Sequence, residues 1–261
     1  MKTRDVIAAI EDLCPPRLAE EWDRVGLVCG DPDWEVKKIL LAMDPCEATV
    51  DEAISGEYDF LLTHHPLYLR GTSTVGAHTT KGDWVTRLIR AGIGLYAAHT
   101  NADSWGTAQA MADLLGLKDA RPLVPDSEHP ELGLGRVGTI EPMKLGAFAD
   151  LVADKLPATP AGILVAGDEE ATVETVVVSP GSGDSFLDAA NAAGADVYVT
   201  ADLRHHPASD HIWAGGCALV CPTHFASEWP LLPRLASALR EKLDVDIDVS
   251  TTVTDVWGSR R

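Results

Sequence analysis

Residues 60–67 read Phe-Leu-Leu-Thr-His-His-Pro-Leu, an apolar run that ends at two adjacent histidines and a proline. The run predicts a short buried strand, and Pro66 stops it because proline has a fixed φ and no backbone N–H. Neighbouring side chains of a regular strand point to opposite faces, so His64 and His65 reach one site only where the strand has ended. Ligands of open α/β sheets bind at such carboxyl ends. The pair is a candidate site, and an ordinary surface turn is the alternative.

The same pattern returns in the second half of the chain. In both halves an apolar strand leads to a His-His-Pro tripeptide, and a later strand leads to a further histidine. The order of these features is the same, although their separations are only similar. The matching features are the tripeptides at 64–66 and 205–207 and the strands 94–98 and 216–221, which lead to His99 and His224.

Strand patterns alternate with helical patterns in both halves, which is typical of α/β folds with mostly parallel sheets and helices outside. We therefore predict two similar α/β domains from an internal repeat, a first half at 1–123 and a second half at 124–261. Strand ends rich in His and Asp in each half suggest a site where the halves face one another.

Three segments interrupt this pattern. Residues 68–81 are rich in Gly, Ser and Thr and predict a long loop, which in a compact domain is more often functional than not. Asn101 favours a loop over 99–103. Residues 121–172 are less regular, with a predicted loop over 125–135, a strand over 137–140 and a helix over 145–156.

The bulk composition excludes several classes of protein. The 261 residues carry a net charge of −19, which argues against nucleic-acid binding and against anionic membrane surfaces, because both need basic protein surfaces. No apolar run is long enough to span a bilayer, and the N-terminal sequence predicts an amphipathic helix and no signal peptide. The five cysteines are odd in number and scattered, so we expect reduced thiols and a cytoplasmic protein.

Six of the nine histidines lie at four predicted strand ends, each with a second histidine or a carboxylate nearby. His224 and Glu228 are four residues apart, so a helix places them on one face, where they can chelate a divalent transition metal. A helix-surface pair is the alternative. The four clusters are His64 with His65, His99 with Asp103, Asp202 with His205 and His206, and His224 with Glu228.

Two metal ions fit these clusters better than one. Adjacent histidines at a strand end diverge, and carboxylates such as Asp103 and Glu228 can bridge two cations. We interpret Asp103 as a ligand and His99 as nearby support. His205 and His206 could be ligands, hydrogen-bonding supports of ligands or substrate-facing groups, and ligand number favours the last two. Without thiolates, the donor set suits Zn, Mn, Fe and Ni about equally.

The chain contains no GxSxG, HExxH or CxxC motif. We therefore expect an enzyme of this sequence to use a water molecule activated by the metals. Ligating carboxylates are poor proton acceptors, so His99, His205 and His206 are the candidate catalytic residues for proton transfer. Support of the metal ligands by hydrogen bonds is the alternative role.

Nearly the whole chain resembles the NIF-three-like family, whose members are often called GTP cyclohydrolase 1 type 2 homologues or dinuclear metal-centre proteins. The chain departs from the usual family pattern at Arg24, Ala201, Thr223 and Phe225, and no departure removes a proposed ligand. The motifs that carry the resemblance are Trp22–Leu27 (WDRVGL), Thr63–Leu67 (THHPL), His99–Asp103 (HTNAD), Thr200–His206 (TADLRHH) and His224–Glu228 (HFASE).

The resemblance implies two intertwined α/β domains without the inserted domain of some members, and a two-metal site at their junction. It implies five metal ligands, which are His64, His65, Asp103, His224 and Glu228. It also implies a toroidal homohexamer. The expected function is metal-dependent hydrolysis of an unknown small molecule, by resemblance a nucleotide heterocycle. The alternative is a non-enzymatic metal carrier or a scaffold for partner proteins.

Overall fold

The computed structural model describes residues 1–261, which form ten α-helices and eleven strands in two sheets. The helices are α1 Thr3–Leu13, α2 Glu47–Ser55, α3 Thr80–Ala91, α4 Thr100–Ala102, α5 Ala108–Leu114, α6 Leu145–Lys155, α7 Leu187–Ala192, α8 His205–Trp213, α9 His224–Glu228 and α10 Leu231–Arg240. The strands are β1 Gly26–Cys29, β2 Lys38–Ala42, β3 Phe60–Thr63, β4 Gly94–Ala97, β5 Lys118–Pro125, β6 Gly133–Lys144, β7 Leu164–Ala166, β8 Thr172–Ser182, β9 Val197–Ala201, β10 Ala218–Cys221 and β11 Asp246–Val249. A π-helical turn, Asp103–Thr107, follows α4.

The chain forms two compact units. The first comprises residues 1–105 and 232–254, and the second comprises residues 106–231 and 255–261. This division differs from the halves 1–123 and 124–261 because the chain returns to the first unit near its C-terminus. There, β11 pairs in parallel with β2.

The first unit contains a five-stranded sheet in the order β1-β4-β3-β2-β11, parallel except for β1 against β4. Strands β3 and β4 are buried along their whole length, because α2 and α3 pack over the sheet through side chains such as Val50, Leu61 and Leu88. Since β2, β3 and β4 are parallel, their carboxyl ends lie at the same edge, with Ala42 paired to Thr63 and Thr63 paired to Ala97. This edge positions the histidines of the first unit.

The second unit contains a six-stranded sheet in the order β5-β6-β8-β9-β10-β7. Strands β8, β9 and β10 are parallel, and the other neighbours are antiparallel. Most of strand β5 lies in the region 121–172, which was expected to be irregular. It escapes prediction because it is an edge strand that contains Pro122 and Pro125 and exposes most of its side chains, so it has no apolar run.

The mixed α/β fold expected from the sequence is confirmed. In both units the parallel strands are linked by helices, as the alternation of strand and helix patterns predicts. None of the helices combines the length and the apolar character that crossing a membrane requires.

Candidate metal centre

The end of β3 places His64 and His65 side by side. The backbone N–H of His64 donates to Ala42 O at 3.1 Å, and that of His65 donates to Met43 O at 2.9 Å. Backbone hydrogen bonding to the neighbouring strand β2 and the residue after it therefore continues for two residues beyond the end of β3. The Thr63 hydroxyl donates to His65 O at 2.8 Å, which turns the chain before Pro66. Because the chain turns here, the two imidazoles lie close together, with ring centroids 5.0 Å apart. The divergence of the two side chains that the sequence led us to expect is therefore wrong.

Both imidazoles are oriented through Nδ1. Nδ1 of buried His64 donates to Ala98 O at 2.9 Å, and Nδ1 of His65 donates to Oδ1 of Asp44 at 2.7 Å. In a neutral imidazole with hydrogen on Nδ1, the lone pair is on Nε2, the form that binds a metal. Both side chains are therefore prepared to ligate through Nε2.

His99, which follows β4, is oriented in the same way by Asp23. Nδ1 of His99 donates to Oδ1 of Asp23 at 2.8 Å, while the backbone N–H of Thr100 donates to Oδ2 at 3.0 Å. Burial raises the pKa of Asp23, but the hydrogen bonds from His99 and Thr100 lower it more strongly, so the net pKa lies well below its ordinary value. Trp22 packs edge-on against the imidazole, with ring centroids 6.0 Å apart.

The structure brings these three histidines together with Asp103. Ring nitrogens of His64, His65 and His99 lie within 4.8 Å of one another, and Oδ1 of Asp103 lies 3.6 Å from Nε2 of His64. The loop expected over 99–103 is wrong, because Asp103 follows the helical turn α4. Oδ1 of Asn101 accepts the backbone N–H of His99, the N-cap residue, at 2.9 Å, so Asn101 stabilises the start of this turn instead of breaking it.

In the second unit, α9 carries His224 and Glu228. Thr223 is the N-cap, and its hydroxyl accepts the N–H of Ala226 at 3.3 Å. Nε2 of His224 lies 3.0 Å from Oε2 of Glu228, as the four-residue spacing predicts. Nδ1 of His224 donates to Oδ2 of Asp202 at 2.7 Å.

Two carboxylates therefore control the protonation of His224. Burial lowers the pKa of His224, but hydrogen bonds to Asp202 and Glu228 outweigh burial and raise the pKa to about 11. The hydrogen bond from His224 in turn lowers the pKa of Asp202. Because a metal requires the neutral imidazole, a divalent cation at Nε2 would replace the proton that faces Glu228, while Nδ1 would keep its hydrogen bond to Asp202.

A glycine turn at the end of β8 allows close approach to Glu228. Gly181 has φ +73°, and a Cβ at this position would lie 2.2 Å from Oε1 of Glu228. Its N–H donates to Oγ of Ser227 at 2.9 Å, and that hydroxyl donates to His224 O at 2.8 Å. The turn thus supports α9 at both candidate ligands.

The other histidines lie outside the groups of candidate metal ligands. His205 and His206 are exposed at the start of α8, with ring centroids 5.2 Å apart, and neither belongs to a group of closely spaced potential ligands. His211 is buried, and Nε2 donates to Cys217 O at 2.9 Å, so it is a structural residue. His78 and His129 are exposed.

Burial raises the pKa of four of the five cysteine thiols and so disfavours their thiolate form; they are Cys14, Cys29, Cys217 and Cys221. All five are free, and burial raises the pKa of the Cys29 and Cys217 thiols to about 11. A thiol with a raised pKa is mostly protonated at neutral pH, whereas nucleophiles and metal ligands are thiolates.

Sequence reasoning missed two of the carboxylates that orient the histidines, Asp23 and Asp44, and it grouped the third, Asp202, with His205 and His206 instead of His224. Asp44 and Asp202 each follow a strand, as the histidines do, and that position was the available signal. Asp23 follows no strand, and it lies 76 residues before its partner His99. Nothing local in the sequence connects the two.

The donor set fits a metal ion. Four histidines have Nδ1 bonded to an oxygen acceptor, and oriented histidines of this kind are typical of metal sites. Two carboxylates accompany them: Asp103 in the first unit and Glu228 in the second. Imidazole and carboxylate ligands suit first-row divalent metals, so these groups could hold a metal ion.

Comparison with known proteins places the chain in a family. The profile of Duf34/NIF3 (NGG1p interacting factor 3) matches residues 1–257, and the chain belongs to this family. A Streptomyces coelicolor protein named GTP cyclohydrolase 1 type 2 homolog is 50% identical, and the match covers 97% of this chain and 92% of the relative.

Two further relatives bear on domain content and fold. A Mycobacterium tuberculosis protein of the same name is 32% identical over 368 aligned positions, covering 98% of this chain and 97% of the relative. Since this chain has 261 residues, that relative contains a segment which this chain lacks. The crystal structure of a Bacillus cereus protein related to NIF3 superimposes with a TM-score of 0.91, at 25% identity and 98% coverage of both chains.

Proposed function

We propose that the protein is a metal-dependent hydrolase of a small molecule, with two divalent ions per chain. The ligands we propose are His64, His65, Asp103, His224 and Glu228. The observation that carries this proposal is the shared orientation of the histidines, whose Nδ1 atoms donate to Ala98 O or to carboxylates. His224 and Glu228 supply only two protein donors, fewer than the three of most catalytic zinc sites. We therefore propose that all five ligands serve one pair of ions.

When bound, such ions would polarise an electrophile and activate water for hydrolysis. The chain's own residues then have separate tasks. Asp44 and Asp202 hold the imidazoles of His65 and His224 in the ligating tautomer. His99, held by Asp23, is positioned to accept or donate a proton at Nε2. His205 and His206 are alternative proton-transfer groups, as expected from the sequence.

The name shared by the relatives supports a nucleotide-like substrate and a cyclohydrolase reaction. We propose this substrate class for the present chain, with Zn, Mn, Fe or Ni as the metal. We also propose a homohexamer, which rests on the family resemblance.

Elemental analysis of purified protein tests the metal proposal. We expect up to about two transition-metal ions per chain. His64→Ala and Glu228→Ala should each lower this number while the circular dichroism spectrum is unchanged. His129→Ala is the matched control, because His129 is exposed and distant in sequence from every proposed ligand. Wild-type metal content in both ligand variants would refute the assignment.

A substrate screen separates the enzyme from the alternative of a metal carrier or scaffold. The metal-loaded protein is incubated with nucleotides and related heterocycles, and the products are detected by mass spectrometry. We expect hydrolysis that disappears in His64→Ala. A metal-loaded protein that turns over no compound across a broad library would favour the carrier.

A further inference from the structure

The segment that directly follows His65 and Pro66 lines an open cavity of about 570 Å³ at the beginning of α3. The cavity lies within the first unit, and its volume falls in the range of about 300–1,000 Å³ that is usual for small-molecule sites. Two cationic side chains and several hydroxyl groups line it. They belong to Arg70 and Lys81 and to Thr72, Thr74, Thr79 and Thr80.

The charge of this segment is opposite to that of the chain. The protein has 40 acidic residues and a net charge of −19, yet residues 60–82 contain no Asp or Glu. Asp83, the next acid, does not line the cavity, and its carboxylate lies 4.0 Å from Nη1 of Arg87. No acidic residue is among those that line the cavity.

Arg70 is the cation available to a ligand. It is exposed and makes no hydrogen bond or ion pair in the structure. Arg87, by contrast, donates to Glu47 at 2.7 Å and also pairs with Asp51. Lys81 is already engaged, because its Nζ donates to Leu67 O at 2.6 Å and thereby joins the two ends of the loop.

The N-terminus of α3 lines the same cavity. Thr79 is its N-cap and accepts the N–H of Gly82 at 3.2 Å, and Thr80 and Lys81 are the first helical residues. The helix has twelve residues, so its N-terminus carries a positive partial charge and unsatisfied backbone N–H groups. A guanidinium beside a helix N-terminus is a combination that recognises phosphate.

We infer that this cavity binds the phosphate group of a phosphorylated small molecule, with Arg70 and the N-terminus of α3 as the anion-binding groups. The inference rests on the proposed function to the extent that this molecule would be the substrate of the hydrolase. It narrows the substrate class to phosphate esters and nucleotides. Nucleosides and uncharged heterocycles would lack the main contact.

Isothermal titration calorimetry of the full-length, metal-stripped protein tests the inference with three probes: inorganic pyrophosphate, GTP and guanosine. We expect pyrophosphate and GTP to bind and guanosine to bind much more weakly. Arg70→Ala should weaken GTP binding about tenfold or more, the effect of one charge-assisted hydrogen bond. Arg70→Lys should recover only part of the affinity, because lysine cannot form the bidentate contact.

Arg90→Ala is the matched control, because Arg90 is exposed at the other end of α3 and its substitution removes the same positive charge. It should bind GTP as the wild type does. Equal losses in Arg70→Ala and Arg90→Ala, equal binding of GTP and guanosine, or no binding of any probe would overturn the inference. Metal analysis of Arg70→Ala should match the wild type. If elemental analysis found no metal in the purified wild-type protein, the proposed metal centre would be refuted. The titrations are made on metal-stripped protein, so they would still test the phosphate site.

Discussion

Gly181 lies so close to Glu228 that a Cβ added to it would be 2.2 Å from Oε1 of the carboxylate. Gly181→Ala should therefore displace Glu228 and lower the metal content. Its φ of +73° adds a backbone penalty of roughly 1–2 kcal/mol. Gly194→Ala is the control, since Gly194 has φ +74° and nothing within 4 Å of an added Cβ. Thermal unfolding should show the backbone penalty in both variants and a larger destabilisation in Gly181→Ala, and elemental analysis should show metal loss in Gly181→Ala alone. Equal metal loss would contradict the steric explanation.

Asp202→Asn should weaken metal binding by roughly 10–100-fold, the usual effect of losing a carboxylate that orients a ligating histidine. Asp202 has φ +52°, which asparagine tolerates well, so the substitution removes the charge without backbone strain. Competition with a chromophoric chelator measures the affinity. Asp188→Asn removes an exposed charge from the same unit and should leave the affinity unchanged. An unchanged affinity in Asp202→Asn would show that His224 does not depend on this hydrogen bond.

Asp23 should contribute to stability at neutral pH and lose that contribution in acid. Its folded pKa lies below its unfolded value, which is near 3.8, so the contribution is complete above that value and falls as pH drops toward the folded pKa. Asp23→Asn should cost roughly 1.5–3 kcal/mol at pH 7, because buried hydrogen bonds to a charged acceptor are lost. Urea unfolding between pH 7 and pH 2 measures both effects.

The Asp23→Asn variant should also show a shallower loss of stability below pH 4 than the wild type. Asp154→Asn, at an exposed carboxylate on α6, should follow the wild-type curve. Parallel curves for wild type and Asp23→Asn would mean that Asp23 is not responsible for the acid sensitivity.

His99→Ala should keep the metals and lose activity, since general acid–base catalysis is typically worth roughly 10²–10⁴-fold. The measurement is turnover of whichever substrate the screen identifies, with metal content determined on the same sample. His205→Ala is the informative comparison, because His205 is exposed and outside the group formed by His64, His65 and His99. If activity falls only in proportion to lost metal, His99 supports the ligands and does not transfer protons.

The protein should be a hexamer in solution, a prediction that rests on the family resemblance. Multi-angle light scattering should give a mass about six times that of one chain, unchanged on dilution to micromolar concentration. A monomer under these conditions would contradict the prediction.

The sequence alone was sufficient wherever the signal is local. The apolar run 60–63 with the following proline predicts a strand end at His64 and His65, and the structure places both imidazoles there. The spacing of His224 and Glu228 predicts their contact, because residues four apart share a helix face. The alternation of strand and helix patterns predicts the mixed α/β fold. These features depend on patterns that extend over a few residues, and such patterns can be read directly from the sequence.

The tertiary structure decided the features that depend on residues distant in the chain. Asp23 meets His99 across 76 residues, and Asp202 meets His224 across 22. Strand β11, near the C-terminus, joins β2, which lies near the beginning of the chain. In each case a partner is brought close by tertiary packing, so no local sequence pattern records the contact. Local sequence patterns thus point to the candidate ligands, whereas the groups that orient their side chains could be identified only from the fold.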